Sequence, residues 1–218
     1  MSRRPTASGD MQDPYRRGKH LEVFLASPDD VERERRMRDA IESEVNDIVS
    51  EIGWNISIRC GDDAQPGAGR AQALVNRLVK NCHLFVGLVW KRWGSGTGTS
   101  DSGFYEEDIL ARKLNRGLGG PGLPEIMLFF KRVPSAEKKT PGKQLARVLE
   151  FRHQIETGHW PLFKEFTTSR EWERALRTCL LRHVLWLERN YSTAQSESDA
   201  SRSRLNQPGT RRFDARTS

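Results

Sequence analysis

The sequence predicts an α/β domain built on a doubly wound, five-stranded parallel sheet with helices on both faces. Three observations carry the prediction. Leu84–Trp90 and Glu125–Lys131 are apolar at consecutive positions, as strands covered on both sides must be. Segments of strand character alternate with segments of helical period along the chain. Glycine, proline and serine cluster between them, where turns are needed.

The elements follow in order. Leu21–Ala26 is a short strand that ends at Ser27-Pro28-Asp29-Asp30. Ser27 or Asp29 suits a helix cap and Pro28 a first turn. A helix is expected from Val31 to Ile52, with Met37, Ile41, Val45, Ile48 and Ile52 at helical spacing and Gly53 as its stop. Asn55–Cys60 alternates Ile56 and Ile58 with polar residues, a strand of period two. The loop 61–69 precedes a helix over Arg70–Asn81, whose apolar face holds Ala71, Leu74, Val75, Leu78 and Cys82.

The strand Leu84–Trp90 leads into a Gly-, Ser- and Thr-rich loop, Lys91 to Asp101, and a helix over Gly103–Asn115. A glycine-rich break, Gly117–Pro124, separates it from the strand Glu125–Lys131. A lysine-rich loop, a helix over Gly142–Glu156 and an edge strand over Leu162–Phe166 come next. The last helix, Ser169–Arg189, has the cleanest apolar stripe, from Trp172 through Leu176, Leu180 and Val184 to Leu187. The ends, 1–19 and 191–218, lack periodicity and are expected to be flexible. Five strands alternating with helices imply right-handed crossovers, and the expected strand order is flavodoxin-like, 2-1-3-4-5. Its switch point lies between the first and third strands, so the loops Ser27–Asp30 and Lys91–Glu107 should meet at one cleft.

Composition narrows the function. Hydrophobic residues make up 36% and charged residues 30% of the 218, which fits a water-soluble domain with a lean core. No apolar run approaches the roughly 20 residues that span a bilayer, and the N-terminus has no apolar segment of a secretory signal. The expected location is the cytoplasm. Cys60, Cys82 and Cys179 form no CxxC pair, so neither a zinc site nor a disulfide framework is expected. Of the net charge of +7, residues 1–19 carry +3 and residues 191–218 carry +2. The basic excess therefore belongs to the ends, which reads as solvated tails rather than a nucleic-acid surface.

Motifs exclude several chemistries. No GxGxxG follows the first strand, no GxxxxGK[ST] phosphate loop exists, and no GxSxG elbow is present. Gly94-Ser95-Gly96-Thr97-Gly98 resembles a phosphate loop in composition only and reads as a lid. The acidic residues Glu106, Glu107 and Asp108 open a helix after the central strand. There they serve either as a catalytic carboxylate or as partners of the helix dipole. Trp90 and Trp93 are candidates for stacking on a base or are core; Asp29 and Asp30 are candidates for ribose hydroxyls or are caps.

Several stretches resemble a known group. Phe24-Leu25-Ala26-Ser27-Pro28-Asp29-Asp30-Val31, followed by Glu32 and Glu34-Arg35, is similar to the opening of TIR-like domains of bacterial STAND-type NTPases and antiphage proteins. Val86-Gly87-Leu88-Val89-Trp90-Lys91-Arg92-Trp93-Gly94 resembles that group's V-G-x-x-W-x-R-x-G. Ser102-Gly103 with Glu106-Glu107 and Ala111 resembles its S-G-T-E-E-E-x-x-x-A. Ile126–Lys131, Gln144–Phe151 and the last helix extend the resemblance over about 20–189. Phe104-Tyr105 stand where the group has Thr-Glu, and Asp108 stands at an apolar position.

The resemblance implies a TIR-like or nucleoside-deoxyribosyltransferase-like fold and cleavage of an N-glycosidic bond, most often the nicotinamide–ribose bond of NAD⁺. It singles out Glu107 as the catalytic residue; Glu106 is the second catalytic candidate, and Ser27, Asp29, Asp30, Trp90, Trp93, Gly94 and Ser102 are the substrate-binding candidates. It implies no metal and no cofactor, NAD⁺ being a substrate. It also implies a defence or signalling role, with activation by homo-oligomerisation or by a sensor or NTPase partner. A non-catalytic interaction module of the same fold is the alternative.

Overall fold

A computed structural model describes residues 19–64, 70–116, 122–158 and 163–205, with side chains as far as Asn190. The flexible segment expected at the N-terminus lies outside the described residues apart from Lys19, as do parts of the glycine-rich loops and the chain beyond Leu205.

Five strands form one sheet: β1 (His20–Ala26), β2 (Asn55–Cys60), β3 (Leu84–Val89), β4 (Glu125–Lys131) and β5 (Phe163–Phe166). Their order is β2-β1-β3-β4-β5, and every neighbouring pair is parallel. This is the flavodoxin-like order. The helices are α1 (Glu32–Arg35), α2 (Arg38–Val49), α3 (Ala71–Asn81), α4 (Gly103–Arg116), α5 (Ser135–Lys139), α6 (Lys143–Gly158) and α7 (Ser169–Leu205).

Alternation along the strands explains the two-sided cover. In β1, Leu21, Val23 and Leu25 join one buried cluster, while Phe24 and Ala26 join the other. The first cluster is sealed by Ile41, Val45 and Val49 of α2 and by Trp172, Leu176, Leu180, Val184 and Leu187 of α7. The second is sealed by Val79 of α3, Phe104 and Ala111 of α4, and Val148, Phe151 and Ile155 of α6. All six residues of β3 are buried, as its central place requires.

Three elements differ from the sequence reading. The single helix expected over Val31–Ile52 is divided: Asp29–Val31 is a 3-10 turn, α1 follows, and the backbone tightens at Met37, whose N–H bonds the carbonyl of Glu34 three residues back. Fully buried Glu34 draws this turn inward, its carboxylate accepting 2.7 Å and 2.8 Å hydrogen bonds from Lys131 Nζ and Ser169 Oγ. No side chain caps the turn, so neither Ser27 nor Asp29 has the capping role expected of it. Part of the lysine-rich loop is the short helix α5. The backbone of α7 continues to Leu205, where disorder was expected from Tyr191; the sequence holds no Gly or Pro to stop a helix before Pro208. Among the described residues, no helix is long and apolar enough to cross a membrane.

Candidate active site

The switch point of the sheet opens a cleft of about 460 Å³ between the ends of β1 and β3 and the first turns of α3 and α4. Ser27 and Asp29 line it from the β1 end, Gly94–Thr97 from the loop after β3, Arg70 from just before α3 and Gln72 from within it, and Gly103, Phe104 and Glu107 from α4. The two loops meet as the strand order requires.

Glu107 is 8% exposed, and its Oε1 accepts a 2.8 Å hydrogen bond from Gln72 Nε2. Burial pushes its carboxyl up to about 7, against the opposing pull of the Gln72 hydrogen bond; the neighbouring Glu106 charge adds to the rise. A carboxyl with this proton affinity changes charge near neutrality. Perturbed groups in a cleft of this kind are candidates for chemistry.

Glu106 lies outside the lining of the cleft and is fully engaged. Arg70 donates two hydrogen bonds to its carboxylate, at 2.6 Å and 3.0 Å. Thr97, Thr99 and Asn76 donate three more, at 2.5 Å, 2.7 Å and 2.9 Å. Arg70 leads the influences that hold this carboxyl well below the usual range. Glu106 is therefore a fixed anion that ties the glycine-rich loop to α3 and α4, in place of the catalytic part assigned to it from sequence.

The remaining candidates divide the same way. Ser27, Asp29 and Gly94 reach the cleft, and the buried Ser27 Oγ has no partner in the protein. Asp30 does not line it: its Oδ2 accepts hydrogen bonds from the Lys91 and Arg92 N–H groups at 2.9 Å and 3.0 Å, binding the β1 loop to the β3 loop. Ser102 is fully buried and donates to the Trp93 carbonyl while accepting from Tyr105 N–H, which seats α4 beneath the loop. Gly94 is left-handed at φ 97°, and a Cβ there would stand 3.2 Å from Ser102 Oγ.

Neither tryptophan faces the cleft. Trp90 packs on the first cluster, its ring flanked by Lys91 and Lys131 at 4.3 Å and 4.4 Å and its Nε1 donating to the Arg132 carbonyl. Trp93 is buried against Phe104, Tyr105 and Phe151, and its N–H and that of Gly94 are both taken by Gln144 Oε1. Of the two alternatives open for these rings, packing rather than ligand stacking is found: Trp93 is buried in the core and Trp90 is half-buried against it. Tyr105 joins that aromatic group 5.0 Å from Trp93. Phe104 lines the cleft, whereas Tyr105 does not. Asp108 is 1% exposed and paired with Arg112 at 2.6 Å.

Sequence reading missed Arg70, Gln72, Asn76 and Thr97. Their signal was weak: Gln72 and Asn76 are four apart in a helix otherwise read for its apolar stripe.

The fold and the cleft define an α/β protein with one buried carboxyl, raised in proton affinity by that burial, at the switch point of a parallel sheet. No family model matches the chain, and no curated protein sequence matches it.

Proposed function

We propose that the chain is an N-glycosidase that hydrolyses the nicotinamide–ribose bond of NAD⁺, or the equivalent bond of a related nucleotide, with Glu107 as the reacting carboxylate. The observation that carries this reading is the buried Glu107 carboxyl in a 460 Å³ cleft at the switch point. That volume falls within the roughly 300–1,000 Å³ of ordinary ligand sites.

Among the described residues, Asp29, Arg70 and Glu107 are the ionisable groups that line the cleft. Arg70 is committed to Glu106, so no cationic acid stands ready to protonate a leaving base. A pyridinium leaving group needs none. The C1′–N bond breaks with its electron pair passing to the ring nitrogen, and nicotinamide departs neutral. Ionised Glu107 stabilises the oxocarbenium-like ribose electrostatically. A water oxygen then bonds to C1′, and its proton passes to Glu107 and on to solvent. Ser27 and Asp29, which line the cleft, are the candidates for holding ribose hydroxyls.

The resemblance to TIR-like domains adds the setting: a bacterial defence or signalling system, cytoplasmic, switched on by oligomerisation or a partner. A second reading, a non-catalytic interaction module, draws on the exposed Ile48, Ile52, Leu185 and Trp186 of the α2 and α7 region, which are 37–54% exposed.

The deciding experiment follows nicotinamide release from NAD⁺ by concentrated protein at pH 8, for wild type and Glu107→Gln. Release by wild type that falls on the order of 100-fold in the variant supports the enzyme. No release by wild type at any protein concentration, or equal release by both, overturns it in favour of the interaction module.

A further inference from the structure

Glu107 does not stand alone. Gln72 uses both N–H bonds of its side-chain amide, one to Glu107 Oε1 at 2.8 Å and one to Asn76 Oδ1 at 3.3 Å. Asn76 Nδ2 then donates to Glu106 Oε1 at 2.9 Å. Glu106 holds Thr97 and Thr99 of the glycine-rich loop, and Arg70 adds a 3.2 Å bond to the Thr97 carbonyl. A continuous hydrogen-bond chain therefore runs from the cleft carboxyl, through two amides of one helix, to the loop that walls the cleft.

Gly103 makes room for it. A Cβ at Gly103 would stand 2.9 Å from Gln72 Oε1, closer than such contacts allow. The first residue of α4 is thus shaped to the amide that faces Glu107.

We infer that Gln72 is the positioning residue of this site: it orients the Glu107 carboxylate and couples it, through Asn76 and Glu106, to the placement of the Gly94–Ser100 loop. The inference takes Glu107 as the reacting group and so rests on the glycosidase reading for its kinetic consequence, but not for its structural one. The charged groups around Glu107 are Asp29 after β1, Arg70 before α3 and Glu106 in α4; the lining residues Gly94–Thr97 bring none. Arg70 is paired to Glu106, so the direct hydrogen bond that favours ionised Glu107 comes from Gln72.

The test uses the full chain with Gln72→Leu, which keeps the size of the side chain and removes its hydrogen bonds. Two readouts are taken: the carboxyl ¹³C titration of Glu107, and the pH profile of nicotinamide release. Loss of one charge-assisted hydrogen bond should move the Glu107 midpoint up by about one pH unit and slow turnover at pH 7 about fivefold, with the profile moving in step. An unchanged titration midpoint overturns the inference. A midpoint that moves in a protein with no NAD⁺ turnover leaves the positioning role standing and removes the glycosidase reading instead. Gly103→Ala, which displaces the Gln72 amide by crowding, serves where Gln72→Leu does not fold. It should move the midpoint in the same direction, and a midpoint identical to wild type overturns the inference equally.

Discussion

Glu106 and Glu107 are consecutive in α4, and the fold moves their proton affinities in opposite directions. Arg70, helped by Thr97, Thr99 and Asn76, holds Glu106 ionised, while burial raises Glu107 to about 7. One carboxylate is fixed as structure, and the other is left able to change charge in a cleft.

The rate of nicotinamide release should follow the ionisation of Glu107. The ionised form is the reacting one, so kcat/KM should rise with pH up to about 7 and level off above it. Below the midpoint it should fall about tenfold per pH unit. A pH profile flat between 5 and 8 would contradict this.

Stability should show the opposite sign. Folding raises this carboxyl from an ordinary 4.5 to about 7, so the folded state binds the proton more tightly than the unfolded state does. The contribution favours folding below pH 4.5 and is lost as pH rises through about 7. At about 1.4 kcal/mol per tenfold change in affinity, the loss is on the order of 3 kcal/mol. Relative to wild type, Glu107→Gln should therefore gain stability between pH 4 and pH 8. Urea unfolding at the two pH values measures the difference.

Asp30 should prove structural. Its Oδ2 holds two N–H groups at the end of β3. Asp30→Ala leaves both without that acceptor, and hydrogen bonds to a charged group contribute about 1.5–3 kcal/mol each. The variant should unfold at lower urea by an amount corresponding to at least about 2 kcal/mol. A loss of activity with unchanged stability would instead point to substrate contact.

His183 should set an acid limit on the fold. It is 6% exposed, and burial lowers it from 6.5 to about 4. Glu125 stands 3.6 Å from its Nδ1 but is itself raised by burial, so the pair gives little reason for the imidazole to charge. The unfolded chain takes up the proton below 6.5 and the folded chain resists until about 4, so stability is lost as pH falls through that window. His183→Leu should flatten the dependence of unfolding free energy on pH between 6.5 and 4. An unchanged slope would overturn the assignment.

Periodicity and apolar runs were enough to read the five strands and the positions of the longer helices. Leu84–Trp90 could only be a strand covered on both faces, and the stripe from Trp172 to Leu187 only a helix against a sheet. The division at Met37 was not legible, because it depends on Glu34 meeting Lys131 and Ser169, partners 97 and 135 residues away. The roles of Trp90 and Trp93 stayed open between stacking and core for a related reason. A sequence shows that an aromatic residue lies near a site, but whether its ring faces the ligand or the core is settled by packing.

The sequence by itself determined the alternation of strands and helices and the presence of acidic residues at the start of α4, since these follow from local pattern, while the strand order and its switch point are fixed by the pairing of strands in the fold. Only the tertiary structure decided between the carboxylates. Proton affinity depends on burial and on the charges and donors brought close by folding. Arg70 and Gln72 come to Glu106 and Glu107 across 36 and 35 residues of chain, and no local rule pairs them.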